Sequence, residues 1–177
     1  MKTIILPGYS PHNKDWVLEV AKNLNLPHEI RPVFWEHWTD PNKYLRPKEK
    51  SQDIIDILQG DSTNLVAKSV GSLVAAYTVE AIPQRIGKVI LCGIPSVSMQ
   101  RLNIFQKAFE NFPAEKVIVF QNSKDPFATF EEVKNFMKKV NPKIKVIEKP
   151  LHTHDYPYFI DFENFFEKEV KLEGVCF

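Results

Sequence analysis

The sequence predicts an α/β protein: a doubly wound three-layer sandwich around a six-stranded parallel sheet, ordered 2-1-3-4-5-6. Three observations carry this reading. Short apolar runs recur along the chain, six in all. Each is followed by a segment whose apolar residues fall at helical spacing. No internal repeat, low-complexity segment or long linker interrupts the alternation. Strands that alternate with helices make a parallel sheet covered on both faces, and right-handed crossovers leave few ways to wind it. The 177 residues are expected to form one domain, 1–177, with a sizeable core.

The elements follow in order. Thr3-Ile4-Ile5-Leu6 reads as a buried strand ended by Pro7-Gly8. Asn13 to Leu24 reads as a helix with Trp16, Val17, Val20, Ala21 and Leu24 on one face. Glu29 to Trp35 is the second strand. Pro47 to Leu58 is a helix with Pro47 in its first turn and Ile54, Ile55 and Leu58 inward. Asn64 to Ala67 is the third strand, and the third helix covers 70–81. Lys88 to Cys92 is the fourth strand, stopped by Gly93, and Gln100 to Phe112 is helical through Leu102, Phe105, Ala108, Phe109 and Phe112. Lys116 to Phe120 is the fifth strand, followed by a helix at Thr129 to Val140 with Phe130, Val133, Phe136, Met137 and Val140 inward. Lys143 to Ile147 is the sixth strand, and Tyr158 to Val170 closes the chain with Phe159, Phe162, Phe165 and Phe166 on one face.

Composition excludes several classes of function. A hydrophobic share of 44% and a charged share of 25% are ordinary for a soluble globular protein. The formal charge is +1 and no basic stripe stands out, so nucleic acid is not an expected partner. Arg46, Lys48 and Lys50 alternate with Pro47 and Glu49 and read as a solvated face. The opening apolar run is too short for a secretory signal, and no segment is long enough to span a membrane. Two cysteines, Cys92 and Cys176, make no disulfide framework, and a reducing cytoplasm is the expected location. Cys92 ends an apolar run and is expected to be buried. A metal site is not expected, nor is an organic cofactor.

The stretch Ala67-Lys68-Ser69-Val70-Gly71-Ser72 carries the chemistry. A strand, a tight turn and a helix in that order lift a serine hydroxyl clear of the backbone, provided the flanking positions are small. Ala67 and Gly71 meet that condition around Ser69. The plain alternative is that Ser69 caps the helix. Opposite strand order at β-strands one and three makes a switch point, where ligands bind outside the strands' carboxyl ends. The loop Pro7-Gly8-Tyr9-Ser10 and the Ser69 turn are therefore expected to be neighbours. Their backbone N–H groups, from Tyr9 (or Ser10) and Val70, would form an oxyanion hole.

A serine nucleophile needs a base and a group that orients it. Asp125 lies just past strand five, where an Asp-Pro turn is the alternative reading. His152 and His154 lie on the last strand-to-helix loop, with His154 preferred as base and His152 the alternative. The order Ser69, Asp125, His154, each on a loop at one end of the sheet, is that of the α/β-hydrolase fold. Lys68, beside the nucleophile, reads as a solvated lysine. The aromatics Trp35, Trp38, Phe127 and Phe130 fit ordinary packing, an acyl pocket or a partner surface. Trp35-Glu36-His37-Trp38 is expected near the site entrance. His12 fits a capping or surface role, and His28 sits away from the functional edge.

On Ile5-Leu6-Pro7-Gly8-Tyr9, Ala67 to Ser72, Ser123-Lys124-Asp125-Pro126-Phe127 and His154-Asp155-Tyr156, the chain resembles the lidless serine hydrolases related to retinoblastoma-binding protein nine. The resemblance implies a minimal α/β-hydrolase core without a cap, with Ser69 as nucleophile, Asp125 as orienting acid and His154 as general base. Ala67 replaces the usual first glycine of the turn, and Pro7 replaces a histidine often found before the loop glycine. The expected activity is hydrolysis of a small ester, thioester or amide substrate through an acyl-enzyme. The alternative is an interaction protein on the same scaffold, with a protein partner and vestigial activity. A nucleotide or flavin binder would need a glycine-rich loop after strand one, and Pro7-Gly8-Tyr9-Ser10 has one glycine. The sequence specifies no oligomeric state.

Overall fold

In the computed structural model, which describes residues 1–167, the apolar runs pair as a single sheet in the order β2-β1-β3-β4-β5-β6, all parallel. The strands are β1 Lys2–Leu6, β2 Glu29–Pro32, β3 Thr63–Lys68, β4 Ile86–Cys92, β5 Val117–Asn122 and β6 Lys145–Lys149. The helices are α1 Asn13–Asn23, α2 Pro47–Leu58, α3 Gly71–Ala81, α4 Met99–Phe109, α5 Phe130–Val140 and α6 Phe159–Glu167.

Strand side chains alternate between the two faces. Ile4, Leu6, Leu65, Ala67, Val89, Leu91 and Val119 meet α2, α3, α4 and α5 in the larger core. Ile5, Val66, Ile90, Cys92 and Phe120 meet α1 and α6 in the smaller one. Helix α5 shows why amphipathic spacing places these elements. Its five inward residues, Phe130, Val133, Phe136, Met137 and Val140, are all buried, and Thr129 with Glu132 forms a capping box at its start.

Register brings the carboxyl ends of the strands to one rim. Leu6 pairs with Ala67, Lys68 with Cys92, Cys92 with Phe120, and Asn122 with Lys149. The loops after β1, β3, β4, β5 and β6 therefore emerge side by side.

Several boundaries differ from the sequence reading, four of them with a physical cause in the structure. Strand β2 stops at Pro32, and Trp35 leads into a 3-10 turn at Glu36–Trp38. Helix α4 stops at Phe109, although Phe112 is still buried, because Pro113 ends the segment. Strand β5 runs on through Gln121 and Asn122, whose buried amides are satisfied by the loops around them. Strand β6 starts at Lys145, after a turn in which the Ile144 N–H donates to the Asn141 carbonyl. The expected continuation of α6 to Val170, and Cys176, lie outside the described residues.

Candidate active site

The turn after β3 has the backbone its short pattern implies. Ser69 has φ +56°, in the left-handed region, which among the described non-glycine residues only Gln59 shares. That conformation costs about 1–2 kcal/mol for a residue with a Cβ. The Ser69 N–H donates to the Cys92 carbonyl at 2.9 Å, and the Ser69 carbonyl accepts from Ser72 N–H at 3.0 Å and from Ser72 Oγ. Ser69 does not cap α3: Val70 is the N-cap residue and makes no side-chain cap bond. The Ser69 hydroxyl makes no hydrogen bond within the described residues. Gly71 lets the helix start press on β1. A Cβ there would lie 2.7 Å from the Pro7 carbonyl oxygen and closer still to that of Leu6.

Loop 7–10 is fixed by its carbonyls. Trp35 Nε1 donates to the Gly8 carbonyl at 3.0 Å, and Trp38 Nε1 donates to the Tyr9 carbonyl at 2.7 Å. His37 Nε2 lies 2.8 Å from the same Tyr9 oxygen, with its ring stacked on Tyr9. Asn13 Nδ2 donates to the Ser10 carbonyl at 2.9 Å. The N–H groups of Tyr9 and Val70 donate to no described residue. The segment Trp35–Trp38 thus braces the loop that faces the serine turn. Its two tryptophans are anchors whose role the sequence did not separate from core packing.

Asp125 and His154 meet directly. His154 Nδ1 lies 2.6 Å from Asp125 Oδ2. Tyr156 donates its hydroxyl hydrogen to the same oxygen at 2.6 Å, and the Phe127 N–H donates to Oδ1 at 2.9 Å. Burial pushes the Asp125 carboxyl up, but the hydrogen bonds from His154, Tyr156 and Phe127 together outweigh it and hold the group below its ordinary range. Burial also raises the Tyr156 phenol, and the Asp125 charge adds to that rise, so Tyr156 stays a donor.

Asn122 holds the loop that carries His154. Its Nδ2 donates to the carbonyls of Thr153 and Asp155, each at 2.8 Å, on either side of the histidine. Its Oδ1 accepts from the Tyr158 hydroxyl at 2.6 Å, and its N–H donates to the Tyr156 oxygen at 3.2 Å. The sequence reading ended strand five at Phe120 and gave no signal for this role of Asn122.

His154 Nε2 is buried and has no hydrogen-bond partner among the described residues. The ring stands over Gly93, where a Cβ would come 2.9 Å from His154 Cε1. Gly93 follows Cys92, the residue that accepts from the Ser69 N–H, so the imidazole and the serine turn share one floor. The edge of the Phe127 ring packs on His154 at 4.6 Å between centroids, with Phe127 61% exposed.

The other histidines are elsewhere. His152 is exposed and makes no side-chain hydrogen bond within the described residues. His12 is exposed before α1, and His28 bonds Thr3 at the opposite end of the sheet. Phe130 is core.

One expectation needs correction. Lys68 is not solvated: it is 5% exposed, with its ammonium 5.4 Å from the centre of the Trp16 ring. Burial lowers its pKa, and the charges of Asp155 and Asp125 oppose that only in part. A strand-end side chain reads as exposed until α1 folds over it. In the basic cluster Arg46 and Lys48 are exposed as expected, and Lys50 is partly covered, tied to Glu36 at 3.0 Å and Asp53 at 2.7 Å.

No group of His, Cys, Asp and Glu among the described residues is placed to hold a metal ion. No described helix is long and apolar enough to cross a membrane.

This architecture is the α/β-hydrolase fold, and solved structures share it. Est1E from Butyrivibrio proteoclasticus, solved with ferulic acid bound, superposes with a TM-score of 0.72 at 13% identity, over 93% of this chain and 87% of that one. A serine hydrolase without a lid from Xanthomonas campestris gives 0.67 at 14% identity, over 92% and 77%. Naproxen esterase from Bacillus subtilis gives 0.68 at 10% identity, over 94% and 83%. No family model and no curated protein matches the chain.

Proposed function

We propose that the protein is a serine hydrolase that cleaves an ester, thioester or amide through an acyl-enzyme. One observation carries the reading: a serine held at φ +56° on a strand-to-helix turn whose N–H donates to Cys92, and, over the adjoining Gly93, an imidazole whose Nδ1 is 2.6 Å from a buried carboxylate. The esterase and hydrolase neighbours of the fold, and the resemblance to the lidless hydrolases related to retinoblastoma-binding protein nine, support it.

In this mechanism Asp125 fixes the tautomer of His154 with the proton on Nδ1, leaving Nε2 as the base. Ser69 turns its hydroxyl toward Nε2 as substrate enters. Such bonds are often unformed in the empty site and tighten in the complex. Nε2 takes the proton while Oγ attacks the carbonyl carbon. The negative oxygen of the tetrahedral intermediate accepts from the Val70 and Tyr9 N–H groups, each worth on the order of 3 kcal/mol. His154 then protonates the leaving group. Water, activated by the same nitrogen, releases the acid and restores Ser69. The steps require no cofactor.

The test is labelling with a fluorophosphonate probe. The wild type is expected to label, and Ser69→Ala and His154→Ala are expected not to. His152→Ala is expected to label like the wild type; loss of labelling there but not in His154→Ala moves the base to His152. A second reading, a partner-binding module, is favoured by the aromatics left open around the rim: Tyr9 is 56% exposed, Phe127 61% and Phe34 46%. A wild type that does not label selects that reading.

A further inference from the structure

A groove of about 460 Å³ runs along the outer face of α3, between the first turns of α2 and α4. Leu45, Leu73 and Ile104 give it apolar walls, and Arg101, Lys48 and Tyr77 bring polar groups to it. A second groove of about 550 Å³ shares Lys48, Tyr77 and Ile104 with it, so the two adjoin. Neither is lined by Ser69, Asp125 or His154.

The polar groups are unused. Arg101 Nη1 is shut off from solvent with no hydrogen-bond partner among the described residues, and burial works against the guanidinium charge. Neither the Lys48 ammonium nor the Tyr77 hydroxyl has a partner among the described residues. Of the acids around them, Glu49 is held by Arg46 at 3.0 Å, and Glu80 lines only the second groove, with Lys107. The first turn of α4 is not the source of the feature, since Ser98 already caps it through the Arg101 N–H. A desolvated guanidinium without an acceptor is unfavourable until an acceptor arrives. The planar fork of arginine fits a carboxylate in particular. Apolar walls with a few converging polar groups are the usual build of a small-ligand site.

The groove is close to the nucleophile. Leu73 donates its N–H to the Val70 carbonyl, and it lies about 6 Å along the helix from Ser69. We propose that this groove takes a carboxylate carried at the far end of the substrate's acyl chain, with Arg101 as the recognition residue and Lys48 and Tyr77 assisting. The substrate class is thus the monoester of an extended aliphatic dicarboxylic acid. This rests on the hydrolase reading. It differs from the rim of exposed aromatics, since Tyr9, Phe34 and Phe127 do not line the groove.

The test compares two p-nitrophenyl esters of matched length, hydrogen suberate and octanoate. For the wild type, kcat/KM is expected to favour the suberate by about tenfold or more, a difference of about 1.4 kcal/mol. Arg101→Met is expected to bring the ratio close to one through KM, and Arg101→Lys to recover part of it. Equal rates in the wild type, or a preference that survives Arg101→Met, overturn the proposal. If neither ester is cleaved, the hydrolase reading fails, and calorimetry then reads the groove by itself. Saturable suberate binding that Arg101→Met abolishes upholds the carboxylate site; no binding to the wild type overturns it.

Discussion

Tyr156 and His154 converge on one atom: both hydrogen-bond Asp125 Oδ2, each at 2.6 Å. The phenol therefore fixes the carboxylate from the side the imidazole leaves free, and the Phe127 N–H secures the other oxygen. Tyr156→Phe keeps the ring and removes that donor. It also leaves the Asn122 N–H without its acceptor. The expected cost is about 2 kcal/mol of stability, typical of a bond to a charged group. The expected fall in kcat is about tenfold at similar KM. Urea denaturation and steady-state kinetics read the two effects separately.

Asp125 also links stability to acid. Its folded pKa lies below the ordinary value of 3.8. Its contribution is therefore fully present above that value and is lost as pH falls through the lower folded one. Unfolding free energy measured in urea should drop steeply below about pH 4 in the wild type. Asp125→Asn should start less stable and show a shallower acid slope; equal slopes would remove Asp125 from the linkage.

Ser69→Gly separates strain from chemistry. Glycine adopts φ +56° freely, which recovers the roughly 1–2 kcal/mol of left-handed strain and loses about 0.5–1 kcal/mol to chain entropy. The variant should be about 0.5–1 kcal/mol more stable than the wild type by urea midpoint. Its fluorophosphonate labelling should vanish.

Gly71→Ala sets two effects against each other. Alanine in a helix gains about 1 kcal/mol over glycine. Here the added carbon meets the backbone carbonyls of Leu6 and Pro7, which cannot rotate away. Overpacking of about 1–3 kcal/mol should win, with net destabilisation of up to about 2 kcal/mol. Because the collision is with the loop that holds the Tyr9 N–H, kcat should fall as well.

The sheet order was legible because hydrophobic strand cores alternate with helix faces such as Phe130, Val133, Phe136, Met137 and Val140. The placement of Ser69, Asp125 and His154 at one rim was legible from strand ends alone. Lys68 was not, since its surroundings come from Trp16, far away in sequence. Asn122 and Arg101 were not either. What sets such an amide or guanidinium apart is which partners it finds or lacks, and those are set by chain segments that meet only after folding. Strand β2 was read too long because Trp35 looks like a strand residue. Its indole instead reaches the Gly8 carbonyl.

Gly93 has φ +57° and leaves only hydrogen beneath the imidazole, with Tyr156 and His154 both pressing on that spot. Mutational libraries meant to broaden the substrate range can vary the rim aromatics Tyr9, Phe34 and Phe127, but they should leave codon 93 fixed. Any other residue there would evict the ring from its carboxylate, and a screen would score the loss as poor substrate fit.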